Sequence, residues 1–168
     1  SDPNNLRKRM TACAKRFGQE TKYRSAGTLE FLVDDETGEF YFLECNTRIQ
    51  VEHCVTEEVW DVDIVALMLH QADAQLGKDG ALSREQLEAI ERDNPPSPLT
   101  WAIEARLYCE NPLRNFDPSP GLLQQIDWKS DPKLHRIESW VQTGTRITQS
   151  YDPLLAKLIA RGSDREEA

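Results

Sequence analysis

Thr28-Leu-Glu-Phe-Leu-Val33, Asp34-Asp-Glu-Thr-Gly38 and Glu39-Phe-Tyr-Phe-Leu-Glu-Cys45 decide the fold of the first half of the chain. Two runs rich in aromatic and aliphatic residues flank a polar stretch that ends in glycine, the composition of a β-hairpin whose loop needs a positive φ. With Gly38 closing a three-residue loop, Glu36-Thr-Gly38, Asp35 pairs with Glu39 and Glu30 falls opposite Glu44. Directly opposed side chains have Cβ atoms roughly 4.5 to 5.5 Å apart, a separation at which two carboxylates destabilise a sheet unless something compensates them. Alternation puts Asn46 on the same face, and two carboxylates with an amide oxygen suit Mg²⁺ or Mn²⁺ rather than zinc. The same face carries Leu32 and Phe42 as a cross-strand pair, so it is expected to be partly buried. If the extended backbone continues, its parity also brings Arg48, Gln50 and Glu52 into line. The alternative that pattern alone leaves open is a solvated hairpin face, since exposed alternating polar residues are common in antiparallel sheets.

Working outward, Leu6, Met10, Cys13, Ala14 and Phe17 recur at helical spacing, which predicts an amphipathic helix ending at Gly18. After Glu52 the period turns helical again, through Val62, Val65, Ala66, Met68 and Leu69 to Gly77, with Asp63 as N-cap. Ser83-Arg-Glu-Gln86 reads as a capping box. Asn94-Pro-Pro-Ser-Pro98 breaks the chain and marks a subdomain boundary, with domains expected at 1–94 and 95–168. Beyond it Trp101 to Cys109 alternates as a strand, followed by strand-like pieces near Gly121–Ile126, Ile137–Val141 and Leu154–Ala160. The fold class is α+β: a mixed first half and a mostly β second half.

A formal net charge of -9 and a pI near 4.9 argue against a nucleic-acid footprint, which needs clustered Lys and Arg. No apolar run approaches the roughly 18 residues that a membrane span requires. Neither nucleic acid nor membrane is an expected partner. Cys13, Cys45, Cys54 and Cys109 show no C-x-x-C pairing and read as reduced structural thiols.

The run Tyr23-Arg-Ser-Ala-Gly-Thr-Leu-Glu-Phe-Leu32, followed by Gly38-Glu-Phe-Tyr-Phe-Leu-Glu-Cys-Asn-Thr-Arg-Ile-Gln-Val-Glu-His53, resembles the biotin carboxylase family of ATP-grasp enzymes. Ile103-Glu-Ala-Arg-Leu107, Pro118-Ser-Pro-Gly121 and Tyr151-Asp-Pro-Leu-Leu-Ala-Lys157 extend the resemblance over essentially the whole chain. It implies the C-terminal half of an ATP-grasp fold, an antiparallel sheet with helices, followed by the mostly β C-terminal subdomain of a biotin carboxylase. Within the family, Pro118 to Leu123 and Trp140 to Thr145 look most like the urea carboxylase branch found in urea amidolyases, with acyl-CoA and pyruvate carboxylases left open.

The resemblance also implies roles. Glu30, Glu44 and Asn46 match the residues that hold the metal ions of MgATP, and Leu32 matches one that packs near the adenine. Arg48, Gln50 and the Val51 backbone match the bicarbonate site, Glu52 the base that deprotonates bicarbonate, and Arg106 the arginine that stabilises the biotin enolate. The implied reaction is ATP- and bicarbonate-dependent carboxylation of biotin through carboxyphosphate, with Mg²⁺ or Mn²⁺ as metal and biotin on a carrier domain. Expected partners are the N-terminal and lid parts of the same enzyme, the biotin carboxyl carrier domain, a carboxyltransferase domain and, as often in the family, a second copy in a homodimer. The expected compartment is cytoplasmic, or the mitochondrial matrix for an acyl-CoA or pyruvate carboxylase.

Without the resemblance, Arg106 reads as a surface partner of Glu104 or Glu110, and His53 as a structural hydrogen-bonding residue. Cys45 and Cys54 depart from the methionine and proline that the family commonly has there. The chain begins inside the implied ATP-grasp fold, without the glycine-rich lid or its lysines and without a Met-Lys-Met biotin attachment sequence. The expectation is a fragment inactive alone. Two other classes stay open: a non-biotin ATP-grasp ligase, which would not need Arg48, Gln50, Glu52 and Arg106 together, and a non-catalytic interaction module, which would tolerate loss of Glu52.

Overall fold

The computed structural model describes residues 5–77, 85, 100–128 and 135–168. In chain order the elements are α1 (Leu6–Thr21), β1 (Thr28–Val33), β2 (Phe40–Asn46), α2 (His53–Trp60), α3 (Ile64–Leu76), β3 (Trp101–Tyr108), β4 (Glu110–Asn111), β5 (Asp117–Pro118), β6 (Gly121–Leu122), β7 (His135–Ser139), β8 (Arg146–Ile147) and β9 (Leu154–Gly162). Their contacts divide into two units. The first holds the described residues through His53 and those between Asp63 and Asp93; the second holds Cys54–Val62 and the described residues from Thr100 onward. The Ser83 to Gln86 capping box, but for helical Glu85, and the Asn94 to Pro98 break lie outside the described residues.

In the first unit α1 runs past Gly18 to Thr21. It stops at Lys22, which takes the left-handed conformation (φ 52°) while the Lys22 and Tyr23 amides donate to the Gln19 and Gly18 carbonyls at 3.2 and 2.9 Å. The expected end at Gly18 was one turn early. Residues 19–21 are exposed and polar, so that turn leaves no apolar period to read.

The β1–β2 hairpin is antiparallel, with Glu30 opposite Glu44 as expected, but the route to that register differs. Asp34, not Asp35, pairs with Glu39: the Asp34 amide donates to the Glu39 carbonyl at 2.9 Å. The Asp34 carboxylate accepts from the Glu36 and Thr37 amides, and Gly38 takes the positive φ of 69°. The loop is therefore one residue longer than expected, and a β-bulge between the Glu30 and Phe31 pairs, which leaves Leu43 as the extra residue of β2, absorbs the difference.

The bulge also reverses parity along β2. Phe40 and Phe42 lie on the face of Phe31, whose ring meets theirs edge-on at 5.3 and 6.3 Å, and Phe42 stacks on Phe17 of α1 at 6.0 Å. Arg9 of α1 lies 5.2 Å over the Phe40 ring and donates to the Gly38 carbonyl. Glu44 and Asn46, also even-numbered, point to the opposite face beside Glu30. Phe42 is thus not on the carboxylate face, and the partner of Leu32 is Tyr41. Leu32 and Tyr41 are 60% and 62% exposed, so the face is open at that end, while Thr28, Glu30 and Asn46 at its other end are half-buried.

The helical stretch expected after Glu52 is two helices. Asp61 breaks it at φ 51°, and Asp63 caps α3 by accepting from the Ala66 amide at 2.7 Å. Gly77 ends α3 as expected.

The second unit is built on an antiparallel sheet of order β3-β9-β7, with small ladders β4–β5 and β6–β8. Val141, Ile147 and Leu155 form a small core, packed by Cys109, Leu123 and Ile126. The register sets Arg106, Lys157 and Glu138 in one row across the three strands, with Glu104 and Arg136 on the same face. That face carries ion pairs to α2. Arg136 bonds Glu57 at 2.8 Å and Glu58 at 3.5 Å and also pairs with Glu138; Lys157 bonds Glu138 at 2.7 Å; Arg161 reaches Glu58 at 3.5 Å. Glu57 and Lys157 are buried, and the Lys157 ammonium also touches the Cys54 thiol at 2.9 Å.

Burial acts to raise the pKa of Glu138, but hydrogen bonds from Lys157 and Arg136 outweigh it and lower it from 4.5 to about 2. A carboxylate with a depressed folded-state pKa contributes stability that is complete above its unfolded value and fades as pH falls toward the folded one. Acid unfolding of the second unit, followed by tryptophan fluorescence, is therefore expected to draw on Glu138 as pH falls from 4.5 to about 2. The Glu138→Gln variant should lose that part of the acid dependence; an unchanged acid profile would refute it.

Candidate active site

On the carboxylate face of the hairpin, the Asn46 amide nitrogen donates to Glu30 Oε1 at 2.8 Å and to Glu44 Oε1 at 3.0 Å. One donor thus bridges the two opposed carboxylates, and the mutual repulsion their register imposes is relieved where they converge. The Gln50 amide adds a second donor to Glu30 Oε1 at 3.3 Å. A hard divalent cation fits this donor set: the carboxylate oxygens already meet at one point, and turning over the Asn46 amide exchanges its nitrogen for an oxygen ligand.

Beyond Asn46 the chain is not a strand, so the parity expected to align Arg48, Gln50 and Glu52 does not carry through. A tight turn replaces it. The His53 amide donates to the Gln50 carbonyl at 3.3 Å, and His53 Nδ1 lies 2.7 Å from that same oxygen. A carbonyl only accepts, so Nδ1 carries the proton, the structural role expected of His53. Val51 and Glu52 form the exposed apex of this turn. Arg48 donates to the Ile49 carbonyl at 3.3 Å.

The first unit therefore brings together Glu30, Glu44, Asn46 and Gln50, keeps Arg48, Val51 and Glu52 on the adjoining turn, and leaves Leu32 at the open end of the same face. Arg106 belongs to the second unit, where its Nε bonds Glu104 at 3.2 Å. The Glu104 side chain is 5% exposed, and its other oxygen, Oε2, has no hydrogen-bond partner among the described residues. Sequence reasoning missed the Glu57, Arg136, Glu138 and Lys157 cluster. The available signal was charge on the alternating positions of β7 and β9, segments otherwise rich in strand-forming residues. The four cysteines form no disulfide. No helix among the described residues is long and apolar enough to cross a membrane.

Two family models match this chain: the biotin carboxylase C-terminal domain over residues 104–168, and the carbamoyl-phosphate synthase L chain ATP-binding domain over residues 3–78. The second half of the chain thus matches a biotin carboxylase C-terminal domain and the first half an ATP-binding domain, and its structural neighbours include biotin carboxylase-containing enzymes. Among its relatives is a putative urea carboxylase of Emericella nidulans, 50% identical over 163 residues, which are 97% of this chain and 13% of that protein. The crystal structure of the Kluyveromyces lactis urea carboxylase superposes with a TM-score of 0.80 at 40% identity, covering 99% of this chain and 13% of that one. The mitochondrial propionyl-CoA carboxylase alpha chain of Mus musculus is 42% identical over 169 residues, 99% of this chain and 21% of that protein. The chain thus spans a small part of each.

Proposed function

We propose that this chain supplies the metal- and bicarbonate-binding face of a biotin carboxylase, in an enzyme that carboxylates carrier-linked biotin with ATP and bicarbonate. The observation that carries the reading is the meeting of Glu30 and Glu44 on one amide nitrogen of Asn46, a ready-made position for a hard cation. Mg²⁺ or Mn²⁺ held there would neutralise charge on the γ-phosphoryl group during its transfer. Leu32, exposed beside Tyr41, offers an apolar surface to the adenine. Arg48, Gln50 and the Val51 backbone orient bicarbonate, and Glu52 accepts its proton, making it nucleophilic enough to take the γ-phosphoryl group from ATP, giving carboxyphosphate and ADP. Arg106 provides a fixed positive charge for the enolate of biotin, whose N1 attacks the CO₂ that carboxyphosphate releases together with phosphate. Urea is the favoured acceptor of the whole enzyme, since the 50% identity to a putative urea carboxylase exceeds the 42% to the propionyl-CoA carboxylase chain. The domain assignment we propose is 1–94 for the ATP-grasp part and 95–168 for the C-terminal subdomain.

In the full-length enzyme that carries this stretch, Glu44→Gln is expected to raise the Mg²⁺ concentration for half-maximal bicarbonate-dependent ATP hydrolysis by about tenfold or more, because a charged ligand is lost from a site whose affinity depends on ligand charge. A metal titration identical to that of the unaltered enzyme would remove Glu44 from the metal site, and the proposed function with it.

A further inference from the structure

The sheet of the second unit sets two cations against each other. Arg106 of β3 stands directly across from Lys157 of β9, and like charges in directly opposed positions destabilise a sheet unless each is compensated. The two side chains divide the carboxylates of that face between them. Lys157 is turned toward β7, where its ammonium meets Glu138 at 2.7 Å. Arg106 is turned along its own strand, where its Nε donates to Glu104 Oε1 at 3.2 Å.

The pair that the sequence suggests at the surface is sunk at one end. The Arg106 side chain is 35% exposed and the Glu104 side chain 5%. Directly across from Glu104 lies Ile159, itself 1% exposed, so the carboxylate has an apolar cross-strand neighbour. Glu104 Oε2 is buried and has no hydrogen-bond partner among the described residues. A carboxylate placed there is desolvated, and an acceptor left unused inside a fold calls for an explanation. Contact with a substrate is not the explanation, because solvent does not reach that oxygen. Holding Arg106 is. The bond is made at Nε, the nitrogen nearest the stem, which fixes the plane of the guanidinium while the two terminal nitrogens lie further along the side chain. Attraction to Glu104 and repulsion from Lys157 together narrow the positions open to that plane.

Building on the function proposed above, which gives Arg106 the enolate of biotin, we infer that Glu104 is a positioning residue for Arg106: a buried carboxylate that holds the guanidinium where the enolate oxygen meets it, without itself touching biotin. A small displacement is sufficient to matter, because misplacing a reacting group by about 1 Å costs on the order of 10²-fold in rate.

The test uses the full-length enzyme with no biotin on its carrier domain, and free biotin as the probe. Two rates are measured on the same sample: bicarbonate-dependent ATP hydrolysis without biotin, and carboxylation of free biotin. Glu104→Gln keeps the side chain's size and an acceptor for Nε but removes the charge that holds the guanidinium. The expected result is a fall of about tenfold or more in kcat/KM for biotin, with the biotin-independent ATP hydrolysis unchanged. Glu104→Asp, which restores the charge on a shorter stem, should recover part of the loss. A merely structural role lowers both rates by the same factor, so equal losses, or no loss in either, overturn the inference. Should Glu104→Gln fail to fold, Glu104→Asp decides alone, and a ratio of the two rates equal to that of the parent enzyme overturns it. Arg106→Gln separates this inference from the reading beneath it. Biotin carboxylation at the parent's rate in that variant defeats both, whereas loss there with an unaltered ratio in Glu104→Gln defeats only the positioning role.

Discussion

Replacing Glu52 by glutamine in the full-length enzyme is expected to lower kcat for bicarbonate-dependent ATP hydrolysis by about 10²- to 10⁴-fold, the range that a positioned general base contributes. The amide is nearly the size of the carboxylate, so the turn from Gln50 to His53 has no steric reason to change; the negative charge disappears, and with it the ability to accept a proton. The hydrogen bonds that close that turn come from His53 to the Gln50 carbonyl and do not involve the Glu52 carboxylate. The KM for MgATP is expected to hold, since the ligands proposed for its metal, Glu30, Glu44 and Asn46, lie on β1 and β2. ADP release measured with and without bicarbonate checks the result. Undiminished bicarbonate-dependent turnover would mean that bicarbonate loses its proton elsewhere, or that the chain is a non-catalytic module.

Lys157→Met is expected to destabilise the second unit by about 3 kcal/mol or somewhat more, the lower part of the range for removing one partner of a buried ion pair. The lower part applies because Glu138 is a third exposed and keeps Arg136 as a second partner. Methionine preserves most of the apolar stem, so the loss isolates the ammonium and its bonds to Glu138 and Cys54. Trp60, Trp101, Trp128 and Trp140 all belong to the second unit, so tryptophan fluorescence in a urea titration reports that unit alone. The double variant Glu138→Gln, Lys157→Met should regain part of the loss, because it leaves no uncompensated carboxylate. A urea midpoint unmoved by Lys157→Met would show that the ammonium is replaceable by solvent.

What could be read in the sequence was local chemistry. Gly38 had to supply a positive φ, Asp63 stood as a capping residue at the start of an apolar period, and Glu30 faced Glu44 in a hairpin whose three-residue loop Gly38 closes. The bulge was illegible because Leu43 is as good a strand residue as its neighbours, and nothing in its composition marks it as extra. Its omission cancelled against a loop counted one residue short, so the carboxylate pair came out right while the Leu32–Phe42 pair did not. The cluster around Lys157 was illegible for a different reason. Its charges come from α2, β7 and β9, as far apart as 103 residues for Glu58 and Arg161, and each one alone reads as an ordinary surface charge. The run from Arg48 to Glu52 was legible as a set of residue types but not as geometry, because strand parity fails once the backbone turns.

Leu43 carries a lesson for how this hairpin tolerates change. Its side chain is half exposed and does little that another apolar residue could not do. Its presence as one additional link lets a single strand serve two surfaces, with phenylalanines toward α1 and, two residues on, acid and amide toward the opposite side. The constraint at this position is therefore on chain length and not on identity. Natural variation should freely exchange the residue there yet refuse to delete it, since a shortened strand must surrender either its grip on the helix or its half of the carboxylate pair.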